Sequence, residues 1–210
     1  LEALPDEATL ARRVVAGTFF VRPEIAALIA HAKLALSDAL LAGHAIDDPY
    51  FAGRRHDYFP AAMRQAFAED IDSHPLGRNI VATLLAGEMI NRGGPAFAAW
   101  VGEQTGVGSD GVARAYTAVA DTFAIAAVEA AIEAAGLVAA EQLALYARLR
   151  DFLMAATTWA SRNGAADGPL AGLVERLGHG LARYRASLSG HEHADALATT
   201  GVAGRIDRLF

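Results

Sequence analysis

No stretch of this 210-residue sequence alternates apolar and polar residues with a period of two, whereas apolar residues recur at three- and four-residue steps in block after block. That spacing lines one side of an α-helix, while a half-buried strand needs the alternation. Glycine and proline separate the blocks. The pattern predicts helices over 6–16, 60–73, 76–91, 95–104, 109–135, 139–162 and 169–188, with weaker helical character after Gly190. A further helix is opened by Arg22-Pro23-Glu24 and closed by Gly43, with a loop from His44 to Arg55 behind it. Proline suits a first helical turn because it has no N–H to leave unpaired, and a carboxylate there meets the positive end of the helix dipole. The expected fold is all-α: a multi-helical, orthogonal bundle-like array of about eight helices with no sheet.

Hydrophobic residues make up 53% of the chain and charged residues 20%, enough apolar material for a core and too little charge for a disordered chain. The net charge of −6 repels phosphate backbones, and the arginines form no basic face, so no nucleic-acid partner is expected. With no cysteine there is no disulfide, thiolate nucleophile or cysteine-based zinc site, and the composition suits a reducing cytoplasm. No uninterrupted apolar run reaches the roughly 18 residues of a spanning helix, so no membrane partner is expected. The first residue is Leu1 rather than Met, as expected of a piece of a longer protein. The best internal boundary is 106–111. It divides a first helical part, 1–105, from a second, 106–210, expected to pack on the first as one domain.

Two helices carry polar signals. In the helix after Pro23, Ile25, Leu28, Ile29, Ala32, Leu36, Ala39 and Leu40 form one apolar stripe, and Ala27, Ala30, Leu34 and Leu41 form a second, almost opposite. A helix apolar on two sides sits between layers or at an interface. Lys33 flanks the first stripe. In the next long helix, Glu88 and Asn91 project into the arc of Ile80, Val81, Leu84 and Leu85, with Arg92 at its edge. Buried polar groups must be paired, so Glu88 is expected to meet Lys33 or Arg22.

Other motifs read as structural. Gly106-Val-Gly-Ser-Asp-Gly111 fits the dinucleotide-binding glycine pattern by letter, but no strand precedes it; an interhelical turn with a cap at Ser109 or Asp110 is the better reading. Asp47-Asp48 lacks the second ligand cluster of an acidic metal loop and reads as a turn or helix cap. His191-Glu-His193 with Asp195 lacks helical metal-ligand spacing and reads as a solvated turn. No serine elbow or phosphate loop is present. The aromatics Tyr58, Phe59, Phe97, Trp100, Tyr116, Phe123, Phe152 and Trp159 read as core.

Several longer strings resemble one family in order and spacing. Glu2-Ala-Leu-Pro5 and Arg22-Pro-Glu-Ile-Ala-Ala-Leu-Ile-Ala-His-Ala-Lys-Leu34 come first. Asp47-Asp-Pro-Tyr50, Tyr58-Phe-Pro60, His74 with Arg78-Asn-Ile-Val-Ala-Thr83, and Met89-Ile-Asn-Arg-Gly-Gly94 with Phe97 follow. Thr105-Gly106 and Ala113-Arg-Ala-Tyr116 complete the set. Together they resemble the C-terminal helical region of the large bacterial NAD-specific glutamate dehydrogenases over about the first 160 residues. His31 stands where an aromatic is usual, and the second half is unusually rich in Ala and Gly.

The resemblance implies an NAD-dependent parent enzyme that oxidises L-glutamate to 2-oxoglutarate and ammonium. It implies that the catalytic residues and the NAD site lie in another part of that polypeptide. No catalytic, cofactor or metal residue is therefore expected in this chain. The expected role is a helical part that packs on the catalytic core of the same chain and supports stability, assembly into an oligomer, or regulation. Arg22, Glu24, Lys33, Glu88, Asn91 and Arg92 are the candidate structural or docking residues. The alternative is a free-standing helical ligand-binding or interaction module; a DNA-binding repressor of this length would need a basic helix-turn-helix that residues 1–21 do not supply.

Overall fold

The computed structural model describes residues 4–164 and 168–189. These form eleven α-helices and two single 3-10 turns, with no strand among the described residues. The weak tail helix and the His191, His193 and Asp195 group lie outside the described residues.

Helix α1, Glu7–Ala16, starts at Asp6, whose carboxylate accepts from the Thr9 amide at 2.8 Å. It ends at Gly17 in the left-handed region, φ 63°, where the amides of Gly17 and Thr18 reach back to the last carbonyls. Helix α2, Arg22–Ala42, starts as the sequence indicates, with Pro23 in the first turn and the Glu24 carboxylate accepting from the Val21 amide at 2.9 Å. Next come the 3-10 turns Ala45–Asp47 and Pro49–Phe51, then α3, Arg54–Asp57. The expected loop is thus tightly wound.

The single helix expected over 60–73 divides into α4, Ala61–Ala66, and α5, Ala68–Asp72, at an exposed Phe67 that leaves helical geometry while Ile71 anchors the second piece in the core. Helices α6, Gly77–Gly93, and α7, Phe97–Thr105, follow. The long helix expected to 135 also divides. Helix α8, Ser109–Thr122, and α9, Ile125–Ala134, meet at 55° through Ala124, a non-glycine residue at φ 50°. The bend sets Phe123 edge-on to Phe152 at 4.9 Å and sends Ile125 and Ile132 fully into the core. Helices α10, Ala139–Arg162, and α11, Leu170–Ser189, complete the described fold.

Helix α8 is the axis of the packing. Val112, Ala113 and every residue from Ala115 to Ala120 are buried, and α7, α10, α11 and α2 lie against it. Its alanines allow close interaxial approach, since the side chains at a contact set helix separation. Helix α2 packs chiefly on α6, and α7 on α10. One contiguous core links Leu36 and Leu40 of α2, Leu85 and Met89 of α6, Tyr116 of α8, Leu149 and Leu153 of α10, and Leu170 of α11. The core therefore draws on residues from both sides of 106–111.

The burial of the aromatic side chains departs from the sequence expectation. Trp100 and Trp159 are exposed because their helix faces turn outward, and Tyr58 is exposed in the turn after α3, while Phe97, Tyr116 and Phe152 are buried. Helix α2 is long and apolar enough, by length and composition, to cross a membrane: its mean hydropathy over 18 residues is 1.6. Alanine, leucine and isoleucine outweigh Lys33 and Asp38 in that average, although they never form an uninterrupted run. Only its C-terminal half enters the core, through Leu36, Ser37 and Leu40, so much of its second stripe, including Leu34, stays exposed.

Candidate functional site

The densest ionic arrangement joins α3, α6, α8 and α9. Arg54 donates to both carboxylate oxygens of Glu88 at 2.9 and 3.1 Å and to Asp121 at 3.2 Å. Arg92, one turn after Glu88 on α6, lies 3.3 Å from Glu88, 2.8 Å from Glu129, and donates to the Tyr116 hydroxyl at 2.9 Å. The Tyr50 hydroxyl donates to Asp121 at 2.7 Å. The chain of charges runs Asp121, Arg54, Glu88, Arg92, Glu129: three carboxylates alternate with two guanidiniums. Arg54 also lies over the Phe51 ring, 5.8 Å from its centroid.

Tyr50, Arg54, Glu88, Arg92 and Asp121 line an open groove of about 640 Å³, together with Ala120, Ala124 and Ala127. Burial raises the Tyr50 hydroxyl to about 12, with Asp121 adding to the shift. Burial likewise raises Tyr116 to about 12, against the opposing influence of Arg92. Burial disfavours charge on both arginines, yet carboxylates outweigh it: Glu88 and Asp121 raise Arg54, and Glu129, with the Tyr116 hydroxyl, raises Arg92. Both tyrosines therefore stay neutral and both arginines stay charged at neutral pH. Such groups neither take nor give protons in the physiological range; they brace helices against one another.

A second node sits at Asp48, whose side chain is 9% exposed. One oxygen accepts from the Tyr50 amide at 3.0 Å. The other accepts from Arg114 of α8 and from the Leu170 amide at the start of α11, both at 2.9 Å. Arg114 also donates to the Gly168 carbonyl. Burial pushes the Asp48 carboxyl up, but the two amides and Arg114 outweigh it and hold it below its ordinary value. Asp47 pairs with Arg78 at 2.7 Å, and Asp110 accepts from the amides of His44 and Ala45 at 2.7 and 3.2 Å. Glycine at 43 leaves room for this carboxylate, since a Cβ there would collide with Asp110. The turn-and-cap reading of Asp47-Asp48 thus holds. Gly106–Gly111 is an interhelical turn, with Gly106 left-handed at the end of α7 and Gly108 capping α8; the cap expected at Ser109 or Asp110 falls one or two residues earlier.

The structure brings Glu88 and Arg92 together and leaves the other four candidate residues apart. Glu88 meets Arg54 and Arg92, not Lys33 or Arg22, because α3 rather than the N-terminal half of α2 covers that end of α6. Glu24 pairs with Arg13 through two hydrogen bonds of 2.7 and 3.0 Å, joining α1 to α2. Arg22 is exposed, and Lys33 is half-buried with no ion pair among the described residues. Asn91 is exposed rather than in the apolar arc, which runs through Met89 and Ile90. Arg54, Asp121 and Glu129 escaped sequence reading, because their pairing spans 34 to 67 residues. No group of three or more metal-ligating side chains forms among the described residues.

The arrangement is a set of ion pairs that join helices of an all-α fold. Residues 17–205 match the family model "Glutamate dehydrogenase, C-terminal", and the chain belongs to that family. It is 39% identical over 137 residues to the NAD-specific glutamate dehydrogenase of Mycobacterium tuberculosis. It is 36% identical over 123 residues to that of Pseudomonas aeruginosa and 31% identical over 134 residues to that of Halomonas elongata. These matches cover 65, 59 and 64% of this chain, and 8% of each relative.

Proposed function

We propose that this chain is a non-catalytic helical part of an NAD-dependent glutamate dehydrogenase. In the parent reaction, L-glutamate, NAD and water give 2-oxoglutarate, ammonium and NADH. This part packs against the catalytic portion of the same polypeptide in a cytoplasmic enzyme and supports its stability, its assembly as an oligomer, or its regulation. It binds no NAD and forms one domain from its two helical halves. Arg54, Glu88 and Arg92 hold its faces in register, and Arg22, Lys33 and Asn91 stand free to contact the rest of the enzyme.

The observation that carries this reading is the pairing within the groove. Arg54 is matched by carboxylates of two other helices and Arg92 by Glu129 of a third, and the match to the C-terminal family covers most of the chain. The groove's size favours a second reading, a helical module that binds a small ligand. Removing this region from the parent enzyme separates the two. The structural role predicts faster thermal inactivation or loss of assembly, with KM for glutamate and NAD unchanged. A truncated enzyme equal to the full one in stability, assembly and rate would refute it.

A further inference from the structure

Helix α1 contributes nothing to the core: none of its residues is buried. Among the described residues its one ionic tie to the rest is the paired hydrogen bonding of Arg13 with Glu24, and with α2 it forms a hairpin around residues 17–21. The hairpin is apolar where it meets solvent. Val14, Val15 and Phe19 are 80, 90 and 87% exposed, and Val21 and Ile25 are also exposed. Leu10, Val14, Phe19 and Phe20 line a groove of about 300 Å³ between the end of α1 and the linker. Elsewhere, exposed large apolar side chains are scattered. Here Val14, Val15, Phe19, Phe20, Val21 and Ile25 fall within twelve residues, which is the pattern of a surface awaiting a protein partner.

Two observations identify the occupant. The family model begins at residue 17, so α1 lies outside the matched region, and none of its residues belongs to the core. The matched region is C-terminal in its family and spans 8% of each relative, so the bulk of such an enzyme comes before it in sequence. We infer that the α1–α2 hairpin is a docking arm whose apolar edge seats on the portion of the parent dehydrogenase that precedes this region. The inference rests on the dehydrogenase reading above. Gly17, left-handed, sets the turn between the arm's two helices, and the Arg13–Glu24 pair holds them in a fixed relation, so the edge is presented preformed.

Placing p-benzoylphenylalanine at position 19, and separately at position 15, of the full-length enzyme tests this by photocrosslinking and peptide mapping. The expected product is an intrachain crosslink to the preceding catalytic portion, without doubling of mass. A crosslink to a second copy, or to lipid in vesicles added as a control, overturns the inference, as does failure of both positions to crosslink to protein. A second variant guards against a local effect. V15D with F19D in the full-length enzyme is expected to shorten the thermal inactivation half-life at least tenfold while KM for glutamate stays unchanged. An unchanged half-life overturns the arm. The truncation experiment is read independently: if truncation destabilises the enzyme but neither position crosslinks, the arm alone falls, and if truncation has no effect, both readings fall.

Discussion

Asp48→Ala removes a side chain that joins the 3-10 turns both to α8 and to the start of α11. Three acceptor interactions disappear at once. A hydrogen bond to an amide contributes about 1 kcal/mol net and one to a charged group about 1.5–3, so the loss is roughly 3–5 kcal/mol. For a domain of this size each kcal/mol moves Tm by about 2–4 °C, so the melting point should fall by about 10 °C. Asp48→Asn keeps one carbonyl oxygen but turns an amide group toward a donor, and should cost about half as much. The pH dependence follows from the depressed carboxyl. Its stabilisation is present above the ordinary value of 3.8 and is lost as pH falls through the lower folded value. The gap between wild type and Asp48→Ala should therefore hold from pH 7 down to about pH 4 and narrow below that. Thermal melts by circular dichroism from pH 3 to 7 measure it. A variant melting within about 2 °C of wild type at pH 7, or a gap unchanged at pH 3, would refute the reasoning.

Glu88→Ala leaves Arg54 with Asp121 alone and should cost about 2–3 kcal/mol, and a double-mutant cycle with Arg54→Met should show coupling above about 1 kcal/mol; additive effects would contradict the network. Ala124→Gly relieves a left-handed alanine and should raise stability by up to about 1 kcal/mol in denaturant melts, whereas a loss would show that the bend is not strained. Met89→Ala opens a cavity in a fully buried position and should cost about 2–5 kcal/mol, measured by urea unfolding with the slope unchanged.

Local signals are legible in the sequence. The start of α2 needs only Pro23 and Glu24, and the left-handed turns at Gly17 and Gly106 need only glycine, so nearby residues decide them. The polar position of Glu88 on an apolar helix was also legible, because periodicity places it there. Its partner was not. Arg54 comes from a segment without helical spacing, and the choice between it and Lys33 depends on which element lies over α6. Asn91 was misplaced for a related reason: the buried arc of α6 turns toward Met89 and Ile90, and one residue is about 100° around the helix. The break at Ala124 carries no glycine or proline. It is set by where Phe123 and Ile125 find partners in α10 and the core, and tertiary contacts of that kind override local preference.

The most direct test of the central claim is glutamate-dependent NAD reduction by three samples: this 210-residue chain alone, the remainder of the parent polypeptide alone, and the two mixed. The account predicts no NADH from the chain alone, and activity of the remainder that is raised or lasts longer on mixing. NADH formed by the chain alone would contradict it.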